Sequence, residues 1–258
     1  MRIFLAILSL SALSLCAEPV RPAKRIVLFN GKDLTNFYTF LKDSQREDPK
    51  KVFTVVNGAI RISGEEWGAL TTREEYRDYR LIVEFKWGTQ TWPPRTDKAR
   101  DSGILLHGVG ADGAAGSGWL ESIEYQIIEG GTGDILMVKG ANKPVLTVEA
   151  EVGPDKQLYW KKGAPRVTRD SGRVNWYGRD LQWKDQLNWR GPRDVEKPVG
   201  QWNRIEAVVE GGNLTYYLNG VMVNQTFDGD HTFGRIQFQS EAAEIFIRRI
   251  ELQPLKKR

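Results

Sequence analysis

The chain has 258 residues, of which 40% are hydrophobic, so it is long enough to bury a substantial core. Its formal net charge is +4, and the lysines and arginines are dispersed, with a basic run only at residues 256–258. Because no basic patch is apparent, we do not expect a nucleic-acid partner. One cysteine and two histidines are too few for a multi-histidine or Cys/His metal cluster.

Residues 1–17 predict an exported protein. Met1 and Arg2 give a short basic start, residues 3–15 are apolar, and the stretch ends near Ala17, which is typical of a cleaved secretory signal peptide. We therefore expect a periplasmic or secreted protein, and no other apolar run reaches membrane-spanning length. The alternatives are a buried N-terminal helix and a lipid anchor on Cys16, which is disfavoured because Leu15 stands where a lipoprotein has a small residue.

Strand-like alternation of apolar and polar residues runs through the rest of the chain. It covers residues 80–87, 101–107, 121–129, 204–210, 213–218, 221–224, 235–239 and 244–252. Asn219-Gly220 between two such runs predicts a tight hairpin turn. Many short strands with Gly- and Asn-rich turns predict an all-β sandwich or jelly roll. Because no Pro/Ser-rich linker divides the chain, we expect residues 18–258 to form a single domain with a long irregular excursion at 153–200.

Two of these runs carry the first candidate site. Alternate side chains of a strand share a face, so His107 is placed with Gly103, and Glu124 is placed with Gln126. An imidazole that titrates near neutral pH, beside a carboxylate and an amide, indicates an active site or a sugar-binding site. The ordinary alternatives are a histidine at a strand end and a solvated sheet face.

Further polar and aromatic candidates surround these runs. Gln239 and Glu241 share a face near the end of the chain, and tryptophans are frequent in the excursion. Arg100, Asp101 and Glu129 could instead form an ordinary ion pair at the sheet rim. No nucleophile elbow or zinc motif is present, so carboxylates, amides, arginines and tryptophans remain, which are the usual equipment of proteins that handle sugars.

Nine short motifs in a fixed order resemble the bacterial family named 3-keto-disaccharide hydrolase, also described as 3-keto-glucoside 1,2-lyase/3-keto-2-hydroxy-glucal hydratase. They lie at residues 28–34, 55–58, 79–87, 101–104, 124–127, 200–203, 218–221, 234–239 and 246–250. The resemblance implies a concanavalin A-like jelly roll, an export signal and activity on sugars oxidised at C3. The chain departs from the family pattern at Asp101, where Asn is frequent, and at His107, where Arg is frequent.

The resemblance also implies a mechanism. A C3 ketone acidifies the hydrogen on C2, a base removes it, and the enolate expels the aglycone from C1; water can then add back, which gives net hydrolysis. We expect Glu124 to be the base, His107 the acid or ketone donor, and Arg100 or Arg248 the enolate stabiliser. The residues expected to bind substrate are Asp101, Trp119, Gln126, Glu129, Gln239, Glu241 and Arg248. No cofactor is required, and a divalent metal on Glu124 and Glu129 is an option.

Other functions stay open at this point. A non-catalytic, lectin-like sugar-binding module would use the same tryptophans and glutamines, and a laminin-type adhesion domain would present a protein-binding patch. A conventional glycosidase needs two carboxylates at a set separation, and Glu124 and Glu129 cannot share a face on a regular strand. The expected partner is a small-molecule carbohydrate, without an obligate protein partner.

Overall fold

The computed structural model describes residues 18–256, and within this range the chain forms strands and no helix. The strands are β1 (Ile26–Val27), β2 (Phe37–Leu41), β3 (Phe53–Val56), β4 (Ala59–Ile62), β5 (Gly68–Thr72), β6 (Tyr79–Thr91), β7 (Asp101–Val109), β8 (Glu121–Ile128), β9 (Ile135–Val138), β10 (Leu146–Val152), β11 (Leu158–Trp160), β12 (Arg166–Arg169), β13 (Arg173–Asn175), β14 (Asn203–Glu210), β15 (Asn213–Leu218), β16 (Val221–Phe227), β17 (Arg235–Ser240) and β18 (Ala243–Pro254). The predicted signal peptide lies outside the described residues.

The strands form two largely antiparallel sheets. The front sheet has the order β2-β5-β17-β7-β8-β9-β13-β11. The back sheet has the order β3-β4-β18-β6-β14-β15-β16-β10-β12, with β1 also paired to β18. Strand β10 pairs with β11 as well as β12 and so joins the two sheets. The prediction of an all-β jelly-roll sandwich is confirmed.

The core lies between the two sheets and follows the predicted alternation. On β6, the side chains of Leu81, Val83, Phe85 and Trp87 are all buried, while the intervening Glu84 is only half-buried. Successive side chains of a strand point to opposite faces, so one face of β6 packs inward and the other meets solvent. Burying each large apolar side chain contributes about 1.5–3 kcal/mol, and this favours the register in which the apolar face points inward.

The hairpin between β15 and β16 forms where the sequence predicts it. Asn219 and Gly220 have φ angles of 50° and 85°, and Leu218 pairs with Val221 directly across the turn. Positive φ at both central positions is what a two-residue turn of this type requires, and Asn and Gly adopt it at least cost. The predicted turn is therefore confirmed.

Loops cover the outer face of the front sheet around β7 and β8. Every residue of β8 is buried, and so is every residue of β7 except Val109. One face of these strands packs on the core, and segments 92–100 and 176–199 lie against the other. The backbone N–H of Leu187 donates to Asp97 O at 3.0 Å, and the Trp183 indole N–H donates to Glu129 O at 2.8 Å. Within residues 18–256, no helix has the length and apolar character needed to cross a membrane.

Candidate active site

The outer face of the front sheet carries a compact set of buried polar side chains. In the strand register, Gly103 of β7 faces Gln126 of β8, and Leu105 faces Glu124. Gln239 of β17 comes from the neighbouring strand on the other side of β7. The alternate residues of these strands, such as Tyr125, are apolar or aromatic and point into the core. The period of two therefore gathers the polar groups on one face.

Asp101 and Arg95 form the centre of this polar set. Asp101 Oδ1 accepts a hydrogen bond from the Gln126 amide, and its Oδ2 accepts one from the Arg95 guanidinium. The same guanidinium nitrogen lies 3.7 Å from Glu241 Oε1. Arg95 also reaches the excursion, because its other terminal nitrogen donates to Asp185 at 3.4 Å. One cation thus joins two sheet carboxylates to the segment that covers them.

Two buried side chains beside Asp101 have polar atoms without partners. Within residues 18–256, Glu124 Oε1 and both amide atoms of Gln239 have no hydrogen bond of good geometry, although the Gln239 amide lies close enough to Glu124 to lower its pKa. Both side chains converge on Gly103, where an added methyl group would overlap Glu124 Oε1 and Gln239 Oε1. An alanine at this position would displace both side chains, and in the presence of glycine the two groups are available to bind a polar ligand.

The electrostatics of the three carboxyl groups favour proton transfer near neutral pH. Burial, reinforced by the nearby Asp101 carboxylate, raises the pKa of Glu124 to about 8. Burial raises the pKa of Asp101 to about 6, against the opposing effect of Arg95. Burial, Asp101 and Glu124 raise the pKa of Glu241 well above its usual range. Perturbed carboxyl groups of this kind cluster at catalytic sites.

A polar cavity opens beside Asp101. Its volume is about 350 Å³, and its walls include Arg95, Asp101 and Tyr159 together with two further arginines, Arg173 and Arg179. Both of these arginines donate to Asp134, which is fully buried, and Arg173 does so at 3.1 Å. The cavity has the size of a small-molecule site, and its charged and hydrogen-bonding lining suits a hydroxylated ligand.

A sequence comparison decides the family. The profile of the 3-keto-alpha-glucoside-1,2-lyase-like domain matches residues 24–253, which is nearly all of the described chain. The chain belongs to this family. Membership supports a carbohydrate-active function. No curated protein sequence matches the chain.

Solved structures share the fold of this 3-keto-alpha-glucoside-1,2-lyase-like domain. A candidate glycosyl hydrolase from Parabacteroides distasonis ATCC 8503 is 17% identical with a TM-score of 0.52, and the match covers 90% of this chain and 94% of that one. A protein with a galectin-like fold from Bacillus subtilis is 12% identical with a TM-score of 0.50, covering 93% and 99%. A structure described as a native glycosidic hydrolase is 12% identical with a TM-score of 0.50, covering 94% and 100%. At these identities the likeness extends to the fold alone.

The structure brings together five of the residues expected in the site of this lyase-like domain. They are Asp101, Glu124, Gln126, Gln239 and Glu241, all buried on the same sheet face. Trp119 lies over β5, which is two strands from β7 in the front sheet. Its ring stacks on that of Trp67 with the centroids 5.7 Å apart, and its indole N–H donates to Gly68 O. Trp119 does not line the cavity beside Asp101, and of the five residues above only Asp101 lines it.

His107 lies away from the polar face. The register of β7 shifts between Leu106 and Val109, and His107 has a φ of 57°, so the strict alternation fails there. Its Nε2 lies 3.2 Å from the carbonyl of Gly211, between β14 and β15 of the back sheet. Burial lowers the pKa of His107 to about 4. The imidazole is a neutral group held between the sheets.

Arg100 and Glu129 form a buried ion pair with each other. Arg100 donates to Glu129 Oε1 at 2.7 Å, and Glu129 Oε2 accepts the backbone N–H groups of Arg100 and Asn188. An ordinary ion pair among Arg100, Asp101 and Glu129 is the alternative to a functional role. Arg100 and Glu129 form that pair, whereas Asp101 pairs with Arg95. Both carboxylate oxygens of Glu129 are committed. Among residues 18–256, no group of three or more His, Cys, Asp or Glu side chains is arranged to hold a metal ion.

Arg248 is placed on the back sheet, with its side chain partly exposed. It donates to Glu84 at 2.7 Å and lies 4.3 Å from the centroid of the Trp202 ring. The cations that do reach the polar cavity are Arg95, Arg173 and Arg179. Sequence reasoning missed them because they come from a loop and from the excursion, where no periodic pattern places a side chain.

Proposed function

We propose that the protein cleaves the glycosidic bond of 3-keto-glycosides by removing the C2 hydrogen and eliminating the substituent on C1. The observation that carries this proposal is the Glu124 carboxyl group. It is buried, one of its oxygens is unpartnered, and its pKa is raised to about 8. Family membership supports the choice of a C3-oxidised sugar.

The proposed reaction proceeds in two bond-breaking steps. A carboxylate takes the proton from C2, and the electrons of the broken C2–H bond move onto the C3 oxygen to give an enolate. The enolate then re-forms the ketone, a C1–C2 double bond appears, and the C1–oxygen bond breaks as the leaving oxygen takes up a proton. Addition of water across the double bond returns a proton to C2 and completes a net hydrolysis.

Three groups on the polar face suit these steps. Glu124 acts as the base in its ionised form, which is the minority form at pH 7 because its pKa is about 8, but a buried carboxylate is a stronger base than one in water. Arg95 stabilises the enolate by exchanging Asp101 for the C3 oxygen of the substrate. Glu241, whose pKa is raised by burial and two neighbouring carboxyl groups, is the acid that protonates the leaving oxygen.

The remaining polar groups orient the sugar. Gln239, whose two amide atoms lack a good hydrogen bond, binds hydroxyl groups of the sugar next to Glu124. Gln126 holds Asp101, and Asp101 in turn holds Arg95 in the absence of a substrate.

Turnover of defined 3-keto-sugars tests the proposal. Purified protein is incubated with 3-keto-trehalose and with phenyl 3-keto-glucoside, with and without a chelator, and products are followed by NMR. We expect Glu124→Gln to reduce release of the aglycone by at least about 100-fold, the usual contribution of a general base. Glu65→Gln, which changes an exposed glutamate, is the matched control. Undiminished turnover in Glu124→Gln would contradict the assignment of the base.

A further inference from the structure

A second cavity adjoins the polar one, and its character is different. Its volume is about 480 Å³, and its lining includes Val152, Trp160, Tyr177 and Leu181. Within residues 18–256, six large apolar side chains are exposed, and Val152, Tyr177 and Leu181 are three of them. Such side chains scattered singly need no explanation, but their concentration in one concave site indicates a ligand or a partner.

Aromatic rings form the base of this apolar cavity. The Tyr177 ring lies with its centroid 6.0 Å from that of Trp160 and 5.2 Å from that of Trp176. Trp160 is 95% buried, and its indole N–H has no hydrogen-bond partner among residues 18–256. The cavity therefore offers aromatic surface to a bound ring.

The two cavities share part of their lining. Tyr159, Arg179 and Leu181 line both of them. A ligand whose sugar ring occupies the polar cavity beside Asp101 can therefore extend over Leu181 into the apolar one. In the apolar cavity, Lys161 and Glu151 of the lining form an exposed ion pair at 2.7 Å, and Arg179 and Arg193 are its other charged groups. The polar and apolar halves match a molecule with a hydroxylated end and an aromatic end.

We propose that the apolar cavity is the subsite for the leaving group, and that it selects 3-keto-glycosides with an aromatic aglycone over those with a second sugar or a small alkyl group. This inference rests on the proposed function. A disaccharide would place hydroxyl groups against Val152, Tyr177 and Leu181, which cannot hydrogen-bond through their apolar atoms. An aromatic ring instead buries apolar surface of its own and of the cavity, and it stacks against Tyr177.

Paired substrates and paired variants test this subsite. Phenyl 3-keto-glucoside and methyl 3-keto-glucoside, each as both anomers, are compared in the wild type and in Val152→Thr/Leu181→Asn. Both changed side chains are exposed, so the fold is retained. Val56→Thr/Phe233→Asn changes two exposed apolar side chains outside both cavities and is the matched control. The ratio of variant to wild type is taken for each substrate, so that differences in leaving-group chemistry cancel.

We expect the KM for the phenyl substrate to rise about fivefold in the subsite variant, because part of the apolar contact is lost, while the methyl substrate is unaffected. The control should change neither. Equal effects on both substrates, or no effect, would overturn the inference. So would dimerisation of the wild type that the subsite variant abolishes, because the cavity would then bind a second copy of the chain.

Equilibrium binding separates this inference from the proposed function. Phenyl glucoside and methyl glucoside, both unoxidised, are titrated into the wild type by calorimetry. If the wild type releases neither phenol nor methanol from the 3-keto-sugars, the proposed function fails. The subsite still stands if phenyl glucoside binds more tightly than methyl glucoside and loses that advantage in Val152→Thr/Leu181→Asn, and it falls if the two bind alike.

Discussion

Glu124→Gln should stabilise the protein at alkaline pH while it abolishes turnover. The pKa of Glu124 rises from its ordinary value of 4.5 to about 8 on folding, chiefly because of burial. Between these two values the folded chain keeps a proton that the unfolded chain has released. The stability contributed by this group therefore falls as the pH rises through that window. Glutamine has nearly the same shape as the protonated acid, but it has no proton that is released in this pH range.

The size of the effect follows from the shift in pKa. At about 1.36 kcal/mol for each pKa unit, the wild type loses up to about 5 kcal/mol relative to the variant between pH 4.5 and pH 9. Free energies of unfolding in urea, measured from pH 5 to pH 9 for the wild type, Glu124→Gln and Glu65→Gln, would show it. The two glutamine variants should differ little at pH 5 and diverge as the pH rises. Parallel curves would refute the raised pKa and with it the main argument for Glu124 as the base.

Three further variants test the placement of the other groups. Arg95→Met should lower kcat by about 100-fold or more and raise the pKa of Asp101, measured by NMR titration, because the guanidinium that opposes the effect of burial is gone; an unchanged kcat would remove Arg95 from the mechanism. Gly103→Ala should abolish turnover and destabilise the fold by about 1–3 kcal/mol in urea, because its methyl group displaces Glu124 and Gln239; normal activity would show that the Glu124 position is not critical. His107→Gln should lower stability while kcat stays within about threefold of the wild type, since the imidazole contacts the back sheet; a large loss of kcat at unchanged stability would return His107 to the site.

Much of the sheet face could be predicted from the sequence because its strands are regular. The alternation in β8 predicts that Glu124 and Gln126 share a face, and they do, with Leu105 and Gly103 of β7 as their cross-strand partners. The burial of that face could not be predicted. A strand with alternating polar residues looks the same whether water or a loop covers it, and here segments 92–100 and 176–199 provide the cover.

Local contacts explain why some expected site residues lie away from the polar face and why some arginines near it were not expected. A register shift in β7 points His107 toward the back sheet, and no residue pattern in the sequence predicts that shift. Arg100 lies next to the polar face in sequence, yet its partner Glu129 holds it in a separate contact. Arg95 and Arg179 come from irregular segments whose positions depend on tertiary contacts with Asp101 and Asp134. Periodicity locates residues on strands, whereas loop residues are placed by the partners that they find.

Deuterium incorporation at C2 tests the central claim most directly. The wild type is incubated with 3-keto-trehalose in D₂O, and the sugar product is examined by NMR, with Glu124→Gln and a reaction without protein as controls. Elimination followed by addition of water predicts a 3-keto-glucose that carries deuterium at C2, formed by the wild type far faster than in either control. A cleaved product without deuterium, or cleavage of unoxidised trehalose, would indicate a conventional glycosidase. Binding without any product would indicate a sugar-binding module and would contradict the proposed chemistry.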